Sequence, residues 1–171
     1  MLYLIYFFSI ILVFAFQTSA LPKVLPSDTL PDLALLCAFY FGLKMKDQSG
    51  VLLATLIGFF QDCLSGGIFG INTLSKGLTG FLAAFLKGFI PINNIFPLGV
   101  CITIVSLLDG IVFYLITSLF NKHEIVQDSL FHSLPAFIFM NLISASILFS
   151  IINTLSRKFG KKPQSTFTFD Q

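Results

Sequence analysis

Six apolar segments, separated by short polar stretches, dominate the sequence. They cover about residues 2–21, 30–43, 51–64, 71–90, 96–120 and 130–155. A helix needs about 20 residues to cross a hydrocarbon core about 30 Å thick.

Hydrophobic residues make up 56% of the chain and charged residues only 11%, against about 25% charged residues in soluble domains. A chain of this size has too little interior to hide that much apolar surface from water. The sequence therefore predicts an all-α integral membrane protein, a single polytopic domain over residues 1–171 with a bundle of about six transmembrane helices.

The two ends of the chain set the predicted topology. The first segment has no Lys or Arg before it and is longer than the roughly 7–15 apolar residues of a signal peptide, so we expect a retained helix. The tail over about residues 157–171 is basic and polar, and we expect it to be disordered. Six helices place both termini on one side. With cytoplasmic termini, the outer loops carry only Lys23 and Lys122, as the positive-inside rule requires. The inner segments then carry Lys44, Lys46, Lys87, Arg157, Lys158, Lys161 and Lys162.

The second apolar segment opens with a helix-start pattern. Thr29 is expected to cap a helix whose first turn contains Pro31, with Asp32 at the third helical position. Thr29 and Asp32 would then form a capping box. The simplest interpretation is helix initiation alone. The alternative is a contact surface formed by Pro31 and Asp32 at the edge of the membrane.

The third segment ends at an acidic residue that a glycine-rich turn follows. Ala54, Gly58 and Asp62 are spaced by four residues and therefore share one helix face. Small side chains on that face allow another helix to approach closely. The turn is formed by Ser65, Gly66, Gly67 and Gly70, either as a tight connection or as a short re-entrant piece buried in protein.

Three further polar residues are expected inside the membrane: Lys76, Asp109 and Asn141. A charged side chain costs about 2.5–3.5 kcal/mol at the centre of a bilayer, so it tends to face protein or water. Lys76 either extends to the interface or pairs with a carboxylate, for which Asp62 is our first expectation. Asp109 is the deepest charge, and it is either a functional site or a group that hydrogen-bonds to a neighbouring helix. The polar face of the fourth segment comprises Asn72, Ser75, Lys76 and Thr79.

The sequence gives no support for several classes of function. It contains no nucleophile elbow, zinc-protease helix, phosphate-binding loop or dinucleotide-binding pattern. Only two His residues are present to act as a base beside a nucleophile. The three Cys residues lie in apolar surroundings without metal-site or disulfide spacing. A net charge of +2 is too small to indicate nucleic-acid binding. We therefore expect no enzyme activity, no cofactor, no metal and no nucleic-acid partner.

A series of short motifs between about residues 29 and 88 is the most specific pattern in the chain. In order, the motifs are Pro31-Asp32-Leu33, Gly50, Gly58-Phe59, Gln61-Asp62, Leu64-Ser65-Gly66, Gly70-Ile71-Asn72 and Gly80-Phe81-Leu82. In this order and spacing they resemble the MreD family of rod shape-determining membrane proteins. The rest of the chain agrees with that family in length and hydrophobic layout.

The resemblance implies a non-enzymatic scaffold in the complex that elongates the wall of rod-shaped bacteria. Such a protein would lie among the lipids of the cytoplasmic membrane and help to position the peptidoglycan synthases. It would bind an MreC-like protein, and through it MreB filaments, a RodA-type glycosyltransferase and a penicillin-binding transpeptidase. The residues expected to contact a partner or to support that contact are Pro31, Asp32, Asp62, Ser65, Gly66, Gly67 and Gly70.

The family's helical bundle is similar to the substrate-binding subunits of energy-coupling-factor vitamin transporters. This likeness keeps a second hypothesis open, a membrane subunit that binds a small, vitamin-like molecule. In that case Lys76, Asp109 and Asn141 would line a central cavity.

Overall fold

The structure, a computed structural model, describes residues 14, 17, 23, 30–45, 47–65, 67–89, 95–120 and 125–159. Within these residues it consists of five helices and no strand, which confirms the all-α prediction. The helices are α1 (Leu33–Lys44), α2 (Asp47–Ser65), α3 (Ile71–Leu86), α4 (Ile95–Phe120) and α5 (Ile125–Phe159). Of the expected first helix only Phe14 and Gln17 are described, so a total of about six helices stays a prediction; Lys23, expected in the loop that follows, is helical. Gly66 and the tail after Phe159 lie outside the described residues.

Five helix boundaries differ from the prediction by three or more residues, and one of them is the end of α5 at Phe159, past the expected Leu155 and inside the tail that was expected to be disordered. α1 begins at Leu33 and not at Leu30, and α2 begins at Asp47, before its apolar segment. α3 ends at Leu86, where the Phe89 N–H donates to the Leu86 carbonyl in a turn. α5 begins at Ile125, inside a stretch expected to be a loop, and contains Pro135. Apolar patterning marks the part of a helix that is buried or in lipid, and polar residues can extend the same helix beyond it.

α1 is the central helix of the bundle. Every residue from Leu33 to Leu43 is buried, and the helix contacts each of the other four helices. At 1.5 Å per residue its 12 residues span about 18 Å, which is too short to cross a bilayer. A helix that is apolar on all sides is stable when other helices surround it. The second apolar segment can therefore be short, because the neighbouring helices surround it and shield it from the solvent of the bundle.

The contacts at both ends of α1 fix the direction of the other helices. Lys76 near the start of α3 meets Asp32 at the start of α1, and Lys87 after α3 donates to the Met45 carbonyl after α1, at 2.7 Å. α1 and α3 therefore run in the same direction. α5 runs in the same direction, because its Asn141 contacts Asp32 at the start of α1 and its later residue Phe149 stacks on Phe39 further along α1. α2 and α4 run the opposite way.

Small residues bring α1, α2 and α3 into close contact. A Cβ added at Gly42 would lie 2.6 Å from the Ala83 Cβ, and one at Gly80 would clash with the Ala54 Cβ. A Cβ at Gly58 would overlap the backbone of Asn72. The predicted small-residue face of α2 therefore does meet another helix, α3, and this prediction is confirmed.

The outer surface of the bundle is apolar. Two described helical stretches, Phe96–Leu119 and Leu134–Ile151, are long and apolar enough to cross a membrane, with mean hydropathies of 2.2 and 2.0. Large side chains such as Phe81, Phe113 and Ile147 are exposed along the helices. Asp32, Asp62, Lys76 and Asn141 are buried instead, which is the arrangement expected where hydrocarbon replaces water as the solvent.

Candidate functional site

Asp32 begins α1 and also forms the edge of a buried polar site. It is the N-cap of the helix, and its Oδ1 accepts a hydrogen bond of 3.1 Å from the Leu35 N–H. The expected capping box is therefore wrong in register: Asp32 is the cap itself and not the third helical residue. Pro31 precedes the helix and is buried, and Thr29 is outside the described residues. Aspartate is among the best N-cap residues, so it competes effectively with a threonine three positions earlier.

Lys76 joins α1 to α4 through two carboxylates. Its Nζ lies 2.6 Å from Asp32 Oδ2 and 2.9 Å from Asp109 Oδ1. A third contact, also 2.9 Å, is made to Asn72 Oδ1, one turn earlier on α3. The side chain is only 1% exposed, so it does not extend to the interface. The expected pair of Lys76 with Asp62 is also wrong, since Lys76 is bonded to Asp32 and Asp109 instead.

Asp62 is used to start α3. Its carboxylate accepts from the N–H groups of Gly70, Asn72 and Thr73 at 2.9–3.0 Å. The Thr73 hydroxyl donates to the same carboxylate at 2.6 Å. The N-cap position of α3 is Gly70, which has no side chain to do this and has a φ of +100°. Asp62 therefore serves as an N-cap supplied by α2, which explains why it is not available to Lys76.

Asn72 connects Asp62 to the Lys76 site. Its side-chain amide donates to Asp62 Oδ1 at 3.0 Å, and its carbonyl oxygen accepts from Lys76 Nζ. The amide therefore satisfies a carboxylate on one side and an ammonium on the other. The two sequence-predicted centres, Asp62 and Lys76, belong to one network but are joined through a neutral side chain.

Asn141 attaches α5 to the start of α1. Its Oδ1 accepts from the backbone N–H of Asp32 at 2.9 Å, and its Nδ2 donates to Ser106 Oγ on α4 at 3.0 Å. Asn141 and Ser106 are both fully buried. Ser75 also donates to Asp109. The polar residues of α3, α4 and α5 thus converge on Asp32.

The structure brings together some of the predicted site residues and leaves others apart. Pro31, Asp32, Lys76, Asp109 and Asn141 lie at one buried site, which we call the Lys76 cluster and define as Asp32, Lys76, Asp109 and Asn141. Asp62 is buried near the end of α2. Ser65 and Gly67 are exposed at the turn after α2, where Gly70 is partly exposed.

Three residues of the site were missed or undervalued from the sequence, and the first of them is Gln17, whose Nε2 donates to Asp32 Oδ1 at 3.5 Å. Gln61 donates to both oxygens of Asp32, at 3.4 and 3.3 Å. Its adjacency to Asp62 in one of the family motifs was the only signal. Ser106 carried no signal, because a lone serine in an apolar helix is common. Ser75 and Asn72 were identified through the helical spacing of their polar face.

The arrangement is suited to holding charge and not to nucleophilic chemistry. Lys76 is bonded to two carboxylates, which keep it as an ammonium with no lone pair for attack. Among the described residues no group of three or more His, Cys, Asp or Glu is placed to hold a metal ion. The chemical features of the site are an ion network, buried amides and a helix start.

Comparisons with known proteins give one family. A family model for the rod shape-determining protein MreD matches residues 1–159. No curated protein and no solved structure matches the chain. Because the family model covers all but the last residues of a 171-residue chain, the chain belongs to the MreD family of rod shape-determining proteins.

Proposed function

We propose that this chain is a non-enzymatic membrane scaffold of the bacterial cell-elongation complex. Its membership of the MreD family supports a role in rod shape determination. In this proposal the chain lies in the cytoplasmic membrane with about six helices and both termini in the cytoplasm. It binds an MreC-like protein and, through it, MreB, a RodA-type glycosyltransferase and a penicillin-binding transpeptidase. By doing so it helps to position the peptidoglycan synthases.

The observation that carries the proposal is that the interior polar groups are used by the protein itself. Lys76 is bonded to Asp32, Asp109 and Asn72, and Asn141 is bonded to Asp32 and Ser106. Such a network holds helices in one arrangement, which suits a binding surface. It argues against the alternative, a transporter subunit in which Lys76, Asp109 and Asn141 would be free to bind a small molecule.

We place the partner contact at the turn between α2 and α3. Ser65, Gly67 and Phe69 are exposed there, with 64% of Phe69 accessible. Pro31 and Asp32 are buried and would act on a partner only by fixing α1. Asp62 supports the turn from inside, because it binds the Gly70 N–H that follows it.

The test is affinity purification of the tagged full chain, expressed at its native level and extracted in mild detergent. Mass spectrometry of proteins and small molecules together identifies what is bound. We expect an MreC-like protein with wall synthases. Recovery of a transporter ATPase pair with a bound metabolite, and without an MreC-like protein, would overturn the proposal.

A pair of glycine variants tests the contact surface. Gly67→Arg adds a bulky charge to the exposed turn, where a Cβ would meet only the Ser65 hydroxyl at 3.7 Å. Gly88→Arg is the matched control, because Gly88 has nothing within 4 Å of an added Cβ and follows the opposite end of α3. We expect Gly67→Arg alone to reduce recovery of the MreC-like protein at an unchanged chain level. Equal recovery with both variants would remove the turn from the interface.

A further inference from the structure

The exposed apolar surface of α2 and α3 is shorter along the helix axis than that of α4. On α2 it runs from Leu52 to Leu64, about 20 Å at a rise of about 1.5 Å per residue. Exposed polar side chains bound this stretch at both ends, namely Gln48, Ser49 and Ser65. α3 has 16 residues and is about 24 Å long. The apolar stretch Phe96–Leu119 of α4 has 24 residues and is about 36 Å long.

Contacts of Lys76 show that the helices end at different depths. Its Nζ lies 2.9 Å from Asp109 Oδ1, so α3 and α4 are at about the same depth at these two residues. From Asp109 the apolar stretch of α4 continues for about 15 Å to Leu119. From Lys76 the start of α3 at Ile71 is only about 8 Å away, and α1 begins at this depth with its cap Asp32. α4 therefore extends past α1 and α3 on the side of the turn between α2 and α3.

The burial of α4 changes at the same depth. Before Asp109 the helix has four buried residues, Cys101, Ile102, Val105 and Ser106. After Asp109, Thr117 is the only buried residue in the part of α4 whose side chains are described. Ile111 and Phe113 are 49% and 41% exposed, although two positions are about 200° apart around a helix. The second half of α4 is thus exposed on opposite faces, as expected where the shorter helices no longer flank it.

The exposed surface of α2 and α3 is suited to lipid and not to another helix. We call it the α2–α3 face and define it as the exposed residues of α2 from Leu52 to Phe60 and of α3 from Leu74 to Phe85. All of them are Leu or Phe. Close packing of helices in a membrane relies on small residues, and those of α2 and α3 are already used, as where a Cβ at Gly80 would clash with Ala54.

We propose that the α2–α3 face binds phospholipids with short acyl chains, so that the bilayer is thinner beside α2 and α3 than beside α4. A hydrocarbon core about 30 Å thick would cover the polar side chains at the ends of α2, whereas a thinner one leaves them in water. Tilting cannot remove this mismatch, because it reduces the reach of a short helix further, while it brings α4 closer to about 30 Å. This inference concerns the chain alone and does not depend on the proposed scaffold role.

The test is fluorescence quenching in vesicles of dioleoyl phosphatidylcholine that contain a brominated phosphatidylcholine with either short, myristoleoyl-type or long, erucoyl-type chains. The full chain has no Trp, so one introduced Trp reports only on the lipid beside it. Leu56→Trp places the reporter on the α2–α3 face and Ile104→Trp on α4, and both wild-type side chains are 45% exposed. If Leu56→Trp does not fold, Leu78→Trp on α3 replaces it, at a side chain that is 42% exposed.

Quenching gives the ratio of the binding constants of the short-chain and long-chain lipids at each reporter. We expect this ratio to be at least about two-fold higher at Leu56→Trp than at Ile104→Trp. Equal ratios would overturn the proposal. So would a reporter on the α2–α3 face that neither lipid quenches, because another protein surface, such as a second copy of the chain, would then cover that face.

A change in the length of α2 tests the cause of the preference. Gln48→Leu with Ser49→Leu, added to the Leu56→Trp chain, extends the exposed apolar stretch by about 6 Å, so the ratio should fall toward that at Ile104→Trp. Gln48→Asn with Ser49→Thr is the matched control, because both positions stay polar and the ratio should not change. A ratio that is the same in the Leu variant and in the control would show that helix length does not select the lipid.

Discussion

The ammonium of Lys76 lies 2.6 Å from the carboxylate of Asp32, the residue that caps the central helix. The start of α1 and the interior of α3 are therefore held by one ion pair. Asp109 on α4 pairs with the same ammonium, and its Oδ1 lies 2.9 Å from Lys76 Nζ. Three helices thus depend on one buried lysine, and the first prediction concerns its removal.

Replacing Lys76 by Met should destabilise the bundle strongly. The change leaves Asp32 and Asp109 buried beside each other without a counter-charge, and breaking a buried pair in this way costs about 3–5 kcal/mol. Chemical unfolding of the purified chain in detergent measures the loss. Lys44→Met is the control, since Lys44 is exposed at the end of α1, and it should change the free energy of unfolding by less than about 0.5 kcal/mol.

The double variant Lys76→Met, Asp109→Asn tests the reason for that loss. It contains one carboxylate and no ammonium, so Asp32 no longer faces a second carboxylate without a counter-charge. We expect it to recover part of the stability lost in Lys76→Met. A double variant that is less stable than Lys76→Met would show that packing of the lysine chain, and not charge balance, is what matters.

Asp62 should prove to be a helix cap. Asp62→Ala leaves the N–H groups of Asn72 and Thr73 without an acceptor, which should cost about 1–3 kcal/mol. Asp62→Asn keeps one oxygen and should cost less. Ser65→Ala is the control, because the Ser65 hydroxyl makes only long contacts: it donates to the Asp62 carbonyl at 3.4 Å and accepts from the Gly67 N–H at 3.5 Å.

The same variants separate folding from partner binding. If Asp62 acts only in folding, Asp62→Asn lowers the chain level in cells in step with its loss of stability. If it also supports the interface, the level holds and recovery of the MreC-like protein falls. Normal level together with normal recovery would remove Asp62 from the contact residues.

Helical spacing in the sequence was sufficient to identify the polar face of α3. Asn72, Ser75, Lys76 and Thr79 were grouped by spacing alone, and Ser75, Lys76 and Thr79 are buried. The identity of the lysine's partners could not be obtained in this way. Pairing with Asp32 and Asp109 depends on how three helices dock, whereas Asp62 was favoured because it is near in sequence.

The start of α1 shows a second limit of prediction from the sequence. Thr29 and Asp32 are both good N-cap residues, and local preference does not choose between them. The choice of Asp32 rests on contacts made after docking: Asn141 accepts from its backbone N–H, and Lys76 donates to its carboxylate. Local rules found the helix, and tertiary contacts determined its first residue.

Close packing between α2 and α3 should make Gly58 intolerant of substitution. A Cβ at this position would overlap the Asn72 backbone, and relief requires the two helices to move apart. We expect Gly58→Ala to cost about 1–3 kcal/mol. Gly88→Ala is the matched control, with open space around the added methyl group. It should be neutral or stabilising by up to about 1 kcal/mol. Equal loss in both variants would contradict the packing explanation.

Asn141 offers the last test, because it can be changed in two directions. Asn141→Leu leaves the Asp32 N–H without its buried acceptor, which should cost about 1–3 kcal/mol. Asn141→Asp restores an acceptor but adds a buried carboxylate beside Asp32, so we expect it to be at least as destabilising as Leu. Ser146→Ala on the exposed face of α5 is the control. Unfolding in detergent compares the three variants, and an Asp variant as stable as the wild type would mean that the carboxylate it adds is not held beside Asp32.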